Sequence, residues 1–185
     1  MLEAEWIEVV PWMAVVGGAL VAAVTDCRTR RIRNVLTFPL LLAGLIFGGV
    51  VGGVSGLGSA LLGMLVLGVP FVVLFVVASG GAGDAKLMGA IGAWLGVGPG
   101  LPVLAAVFIW GGVMGIVYAV YKRQAGQVGR SVAMLGMGTL MAAASRGRNT
   151  TALHAAQAMP GSGMRMPYGL AILAGVLTGG VWTWL

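Results

Sequence analysis

Residues 34–83 read NVLTFPLLLAGLIFGGVVGGVSGLGSALLGMLVLGVPFVVLFVVASGGAG, fifty positions without one charged side chain. A transmembrane helix needs about 20 apolar residues to cross a bilayer, with a range of about 17–25. The stretch is therefore too long for one crossing and has the right length for two. Its centre, Gly52-Gly53-Val54-Ser55-Gly56, predicts the break between the two helices, because clusters of glycine interrupt helices.

The composition of the whole chain agrees with a membrane protein. Of its 185 residues, 59% are hydrophobic and 9% are charged, whereas a soluble domain usually carries about 25% charged residues. The 33 glycines follow no three-residue period, which excludes a collagen-like chain. Because so few polar groups cannot cover the surface of a soluble protein, the composition argues against a water-soluble enzyme.

The charged residues divide the rest of the chain into segments of spanning length. We predict an all-α polytopic membrane protein in a single domain over residues 1–185, with about six transmembrane helices. The predicted spans are residues 9–25, 35–53, 58–79, 83–98, 101–121 and 167–185. The stretch 122–166 is predicted to be a cytoplasmic loop. Within it, Ser131–Ser145 is apolar but only 15 residues long, which is typical of an interfacial or re-entrant segment.

The basic residues predict the orientation of these spans. With the N-terminus outside, all 11 Lys and Arg residues fall in the segments after spans one, three and five. Glu3, Glu5 and Glu8 fall on the opposite side. Cytoplasmic segments carry an excess of Lys and Arg, so the basic segments should face the cytoplasm. The same bias accounts for the net charge of +6, and no basic patch interleaved with aromatic residues indicates nucleic acid as a partner.

Asp26 and Asp84 are the only acidic residues beyond residue 8. Both fall at predicted cytoplasmic ends of spans, and a carboxylate at membrane depth is costly and by default a functional candidate. Two carboxylates that converge can share one proton, because both cannot ionise cheaply side by side. The ionised group can then activate a water molecule while the protonated group donates to a peptide carbonyl. In the structural alternative, Asp26 pairs with Arg30 and Asp84 caps the fourth span.

Other chemistry finds little support in the sequence. Cys27 is the only cysteine, which excludes a disulfide framework and a Cys-based metal site. His154 is the only histidine and has no second ligand near it in the sequence. We therefore expect no metal and no cofactor.

Three short motifs accompany the aspartates. Asp84 lies in Gly81-Ala82-Gly83-Asp84-Ala85-Lys86-Leu87, a GxGD sequence whose glycines would let a substrate strand approach the carboxylate closely. A basic stretch and Ile32-Arg33-Asn34 follow Asp26, and the last span begins with Met166-Pro167-Tyr168-Gly169. In these motifs the chain resembles the type IV prepilin peptidases, and more narrowly the short form found with Tad/Flp pilus systems. That family usually has proline where Arg33 stands.

The resemblance implies an integral-membrane aspartic protease of the bacterial cytoplasmic (inner) membrane. It would remove the leader of a prepilin on the cytoplasmic face, so its partners would be prepilins and membrane lipids. Asp26 and Asp84 would be the catalytic pair. The residues that would shape the site are Gly81, Gly83, Lys86 and Asn34. The long form of the family also methylates the new N-terminus and carries paired cysteines, and this chain has neither the length nor the cysteines for methyl transfer.

Three other functions stay open on the sequence alone. A GxGD intramembrane protease of the presenilin or signal-peptide-peptidase kind pairs its GxGD with Tyr-Asp inside a span, whereas here Thr25 precedes Asp26. A small transporter could use both aspartates as proton carriers, but it would hold them near the bilayer midplane. A non-catalytic subunit of a secretion assembly would not need the aspartate pair.

The predicted topology can be tested with reporter fusions. Fusions at Gly53, at Gly98 and at the C-terminus should report an outside location, and a fusion at Gln127 should report an inside location, because all basic residues then face the cytoplasm. A C-terminus inside would show that one span is miscounted, and Ser131–Ser145 is then the first segment to reconsider.

Overall fold

The computed structural model describes residues 2–29, 32–78, 81–121 and 168–184. Over these ranges the chain forms helices and no strand, as the predicted all-α class requires. The five helices are α1 (Leu2–Thr29), α2 (Asn34–Ala78), α3 (Ala82–Leu95), α4 (Val97–Tyr121) and α5 (Gly169–Trp184). The predicted loop 122–166 and its segment Ser131–Ser145 lie outside the described residues.

The chain divides into two compact units. The first consists of Met1–Gly112 together with Arg165–Leu185, and the second of Val113–Met164. The described part of the second unit is the end of α4, residues 113–121. Every side chain discussed below belongs to the first unit.

Three helical segments are long and apolar enough to cross a membrane. These are Trp6–Thr29 in α1, Asn34–Leu74 in α2 and Val97–Val117 in α4. Their outer faces expose many large apolar side chains, as expected for surfaces that contact lipid. α3 has 14 residues and α5 has 16, fewer than the roughly 20 that a crossing takes. The structure thus supports a helical membrane protein, and the count of about six spans stays a prediction.

Helix α2 folds back on itself at Gly53, inside the predicted glycine break. Gly53 has φ 57° and ψ −141°, a backbone conformation that glycine adopts readily because it has no Cβ. The helical residues after Gly53 pack closely against the helical residues before it. A Cβ on Gly56 would clash with the carbonyl oxygen of Gly48, and a Cβ on Gly48 would lie 3.0 Å from the Cβ of Ala60. We call residues 34–52 the first arm of α2 and residues 54–78 its second arm.

The central helix of the first unit is α3. Nine of its 14 residues are buried, and Leu87, Met88 and Ile91 are wholly enclosed in an apolar core to which all four other helices contribute. The second arm of α2 packs so closely against α3 that a Cβ on Gly92 would clash with the carbonyl of Gly63. Because α3 is buried from Leu87 to Ala93, the core fixes the position of the first turn that precedes this segment.

The boundary between α3 and α4 lies earlier than the predicted spans 83–98 and 101–121 imply. α3 ends at Leu95, and Gly96 with φ 69° breaks the helix before α4 begins at Val97. Pro99 does not delay the start of α4, because proline is tolerated in the first turn of a helix, where its missing N–H has no partner to lose. One residue, Gly96, therefore makes the turn that the predicted spans place at residues 99 and 100.

Helix α5 joins α1 and α4 at glycine contacts. A Cβ on Gly175 would lie 2.7 Å from the Cα of Val107, so the backbones of α5 and α4 are in close contact there. At the other end of α5, a Cβ on Gly169 would lie 3.1 Å from the Cα of Ala23 in α1. This packing brings the first turn of α5 against the last turns of α1, where Asp26 lies.

Candidate active site

Asp26 is a buried carboxylate at the end of α1, with 6% of its surface exposed. Its Oδ2 accepts a hydrogen bond from the backbone N–H of Gly169 over 2.9 Å, across 143 positions of sequence. The first N–H groups of a helix have no partner within the helix, and that end of the helix carries partial positive charge. The N-terminus of α5 therefore orients Asp26 and favours a negative charge on it.

Asp84 occupies the third position of α3. Its backbone N–H donates to the carbonyl oxygen of Gly81 over 3.1 Å, and the backbone of Gly81 in turn hydrogen-bonds the Asp84 carboxylate. An acidic side chain that reaches back from the third position to the N-cap N–H is one half of a capping box. The Asp84 side chain thus folds back toward Gly81, the N-cap residue of its own helix.

The two carboxylates interact electrostatically. Asp84 lies outside the three long apolar spans, and its pKa is raised from 3.8 to about 7. Burial is the largest cause and the negative charge of Asp26 the second, while the hydrogen bond from Gly81 acts in the opposite direction. Asp84 therefore keeps its proton up to about pH 7.

Tyr168 belongs to the same cluster of side chains. Burial raises the pKa of its phenol, and the negative charge of Asp84 raises it further. Its ring meets that of Phe71 edge to face, with the centroids 6.0 Å apart, and its hydroxyl fills the space that a Cβ on Gly111 would need. We call Asp26, Asp84, Tyr168 and Gly169 the aspartate cluster.

Sequence reasoning noted Tyr168 and Gly169 only as part of a motif and gave them no place in the site. The available signal was their position. They begin the last predicted span at the same membrane face at which Asp26 and Asp84 lie, so all four residues are at one end of the bundle.

The two glycines of the GxGD motif allow close packing within the chain itself. A Cβ on Gly81 would lie 2.5 Å from Oδ2 of Asp84, so glycine leaves room for the carboxylate to fold back. A Cβ on Gly83 would lie 2.8 Å from the Cβ of Ile32, in the connection between α1 and α2. The structure therefore accounts for both glycines by contacts other than the predicted approach of a substrate strand.

Lys86 and Asn34 contact each other beside the aspartate cluster. The Lys86 Nζ donates to Oδ1 of Asn34 over 2.9 Å and lies 5.5 Å from the ring centroid of Phe38. Both residues are exposed. The lysine is thus held by the first arm of α2. Arg30, the predicted partner of Asp26 in the structural alternative, lies outside the described residues.

Arg33, which stands where proline was expected, directly precedes α2. Its carbonyl oxygen accepts the N–H of Leu36 over 3.0 Å and that of Thr37 over 3.4 Å. The first turn of α2 therefore forms directly after Arg33.

No group of three or more metal-ligating side chains occurs within the described ranges, and Cys27 is exposed at the end of α1. The aspartate cluster contains two acidic side chains. Each of them already accepts a hydrogen bond from a backbone N–H group.

Fold and site together define a class, a helical membrane protein with two coupled aspartates at helix ends. Comparison with known families gives a match over residues 13–120 to the type IV leader peptidase family. The match covers more than half of the chain and includes both aspartates, so the protein belongs to the type IV leader peptidase family, as the motifs indicated. No curated protein and no solved structure matches the chain.

Gly169→Ala tests how Asp26 is held. The new Cβ would lie 3.1 Å from both the Cα of Ala23 and the Cβ of Asp26, so the first turn of α5 must shift by a few tenths of an ångström. Because small displacements of a reacting group are costly, we expect leader peptidase activity to fall by about 10- to 100-fold. The protein should still fold, as judged by its melting temperature in detergent.

Gly17→Ala is the matched control on α1, because a Cβ there would meet nothing within 4 Å. It should leave activity and melting temperature unchanged. Full activity of Gly169→Ala would contradict a positioning role for this glycine.

Proposed function

We propose that this protein is an aspartic endopeptidase that removes the leader peptide of type IV prepilins of the Flp/Tad kind. In this proposal, cleavage takes place at the cytoplasmic face of a bacterial inner membrane. The observation that carries it is the buried Asp26 carboxylate, held by the Gly169 N–H and electrostatically coupled to Asp84, in a chain of the type IV leader peptidase family.

The coupled pair suits hydrolysis by a bound water molecule. Asp26, ionised, takes a proton from the water as its oxygen attacks the scissile carbonyl carbon. Asp84, protonated, donates its proton to the carbonyl oxygen, which gives a tetrahedral diol. When the C–N bond breaks, the proton on Asp26 passes to the leaving amine and Asp84 regains its proton from the diol. Both carboxyl groups then return to their starting states.

The surroundings of each aspartate favour this division of roles. The Gly169 N–H offers a hydrogen bond to a charged oxygen of Asp26, and such charge-assisted bonds are among the stronger hydrogen bonds. Burial and the charge of Asp26 keep the proton on Asp84 up to about pH 7. Each carboxyl is thus prepared for its role before a substrate binds.

The cytoplasmic location rests on the charges around the cluster. Arg28 and Arg33 flank the connection between α1 and α2, Lys86 lies in the first turns of α3, and all three side chains are exposed. The aspartate cluster lies at this basic end of the helices. Because basic residues collect on the cytoplasmic side of membrane proteins, a cytoplasmic active site is the orientation that this arrangement favours.

We also propose that the protein cleaves without methylating its product. The sequence holds one cysteine, so the paired cysteines of the methylating form do not occur in it. The alternative functions predict a different result for the product. A transporter or an assembly subunit would produce no cleaved prepilin at all.

Asn variants of the two aspartates test the mechanism. Asn keeps an oxygen that can accept the Gly169 N–H, so Asp26→Asn should fold and insert normally. Without one ionised and one protonated carboxyl, Asp26→Asn and Asp84→Asn should each lower cleavage by a factor on the order of 10⁴, and the double variant should be no worse, since the residues act as a unit. The measurement is mass spectrometry of a prepilin co-expressed with each variant.

Glu8→Gln is the control, because Glu8 lies on α1 about 27 Å along the helix from Asp26 and should be dispensable. Wild-type protein should give a product that lacks the leader and has an unmodified N-terminal amine. Efficient cleavage by either single Asn variant would contradict the two-aspartate mechanism, and a product heavier by one methyl group would contradict cleavage without methylation.

A further inference from the structure

A groove of about 330 Å³ lies beside the aspartate cluster, between the two arms of α2 and α3. Its lining is apolar except for one hydroxyl and one ammonium group. The residues that define it are Thr37 and Phe38 of the first arm, Val69 and Val72 of the second arm, and Ala85 and Lys86 of α3. We call it the α2–α3 groove.

The α2–α3 groove is open toward the region that lipid would occupy. Phe38, Leu65, Val69 and Val72 line its rim, and each exposes about half of its surface. All four belong to the apolar span Asn34–Leu74. An apolar occupant could therefore enter sideways from the bilayer without crossing water.

Thr37 is a buried polar group without a partner in this groove. Only 2% of its surface is exposed, and its Oγ1 has no hydrogen bond to any described residue. Five other helical hydroxyls in the described chain donate to a carbonyl three or four residues earlier, namely those of Thr25, Thr29, Ser55, Thr178 and Thr183. At Thr37 the equivalent carbonyl, that of Arg33, already accepts two backbone N–H groups. Leaving a buried hydroxyl unpaired is unfavourable, so Thr37 is suited to a bound group that supplies the partner.

One end of the groove lies at the first turns of α3, close to Asp84 in sequence. Ala85 and Lys86 line the groove and follow Asp84 directly in the first turns of α3. Lys86 gives one hydrogen bond to Asn34, and an ammonium group has three donors. A chain that leaves the groove at Lys86 is therefore within about one helical turn of Asp84.

We propose that the α2–α3 groove binds the apolar segment of the protein substrate next to the scissile bond, with the Thr37 hydroxyl donating to a backbone carbonyl of that segment. This inference rests on the proposed function and adds the place where the substrate is held. The volume suits a few side chains rather than a whole helix. A peptide backbone offers an acceptor to Thr37, whereas the acyl chain of a lipid offers none, so the unpaired hydroxyl favours a peptide.

Two substitutions at Thr37 separate the hydroxyl from the shape of the side chain. Thr37→Val keeps the shape and removes the hydroxyl, and Thr37→Ser keeps the hydroxyl. Thr37→Val should fold at least as well as wild type, because it removes an unpaired buried group. We expect it to raise KM about fivefold, the effect of one typical hydrogen bond, with kcat unchanged. Thr37→Ser should keep a KM near that of wild type.

A second pair of variants blocks the groove itself. Val69→Trp places a large side chain at its rim, and Val50→Trp is the control, because Val50 is exposed on the first arm outside the groove. Each variant is assayed with a full prepilin and with a truncated peptide that keeps the leader and the cut site but lacks the apolar segment. Thr37→Val and Val69→Trp should lower kcat/KM for the full prepilin only.

The outcomes separate the groove from the proposed function. If wild-type protein cleaves neither substrate, the proposed function fails and the groove proposal fails with it. If wild type cleaves both, but Thr37→Val and Val69→Trp leave kcat/KM for the full prepilin unchanged or lower it equally for both substrates, the groove proposal is overturned and the peptidase stands. A lipid that co-purifies with wild type and is lost from Val69→Trp, with KM unchanged, would also overturn it.

Discussion

Two carboxylates held close together inside an apolar bundle are the constraint on which the rest of this structure depends. Burial and like charge both oppose ionisation, so the fold must offset them. It does so with two helix N-termini. Asp84 accepts the N–H at the start of its own helix, α3, and Asp26 accepts the N–H of Gly169 at the start of α5. Each aspartate therefore faces the positive end of a helix dipole. The proton on Asp84 removes the remaining repulsion between the two carboxyl groups.

Close backbone packing keeps these helix ends in place. Most of α3 is enclosed by the other helices, and α5 approaches α4 and α1 at glycines where a Cβ would lie 2.7 Å from the Cα of Val107 and 3.1 Å from the Cα of Ala23. The absence of a side chain at Gly81 and Gly83 likewise allows close packing around Asp84. Many of the described glycines lie at such helix contacts, since small residues let membrane helices approach closely. In this account the described helices hold the residues of the site in position.

Part of this picture could be predicted from the sequence. The helical membrane class followed from composition, the reversal at Gly53 from a glycine cluster in an uncharged stretch, and the meeting of the aspartates from their equal depth. The bond from Gly169 to Asp26 could not be predicted, because its partners are 143 positions apart and only packing brings them together. Thr37 could not be singled out either, since the absence of a partner depends on neighbours that local sequence does not specify.

The most direct test of this account is infrared spectroscopy of the protonated carboxyl groups of the purified protein as a function of pH. Wild type should show one buried carboxyl that loses its proton as the pH rises through about 7, and this signal should be absent from Asp84→Asn. In Asp26→Asn the same carboxyl should titrate at lower pH, because the neighbouring negative charge is gone while burial remains. If Asp84 titrates at the same pH in wild type and in Asp26→Asn, the two carboxylates are not coupled and the central claim is wrong.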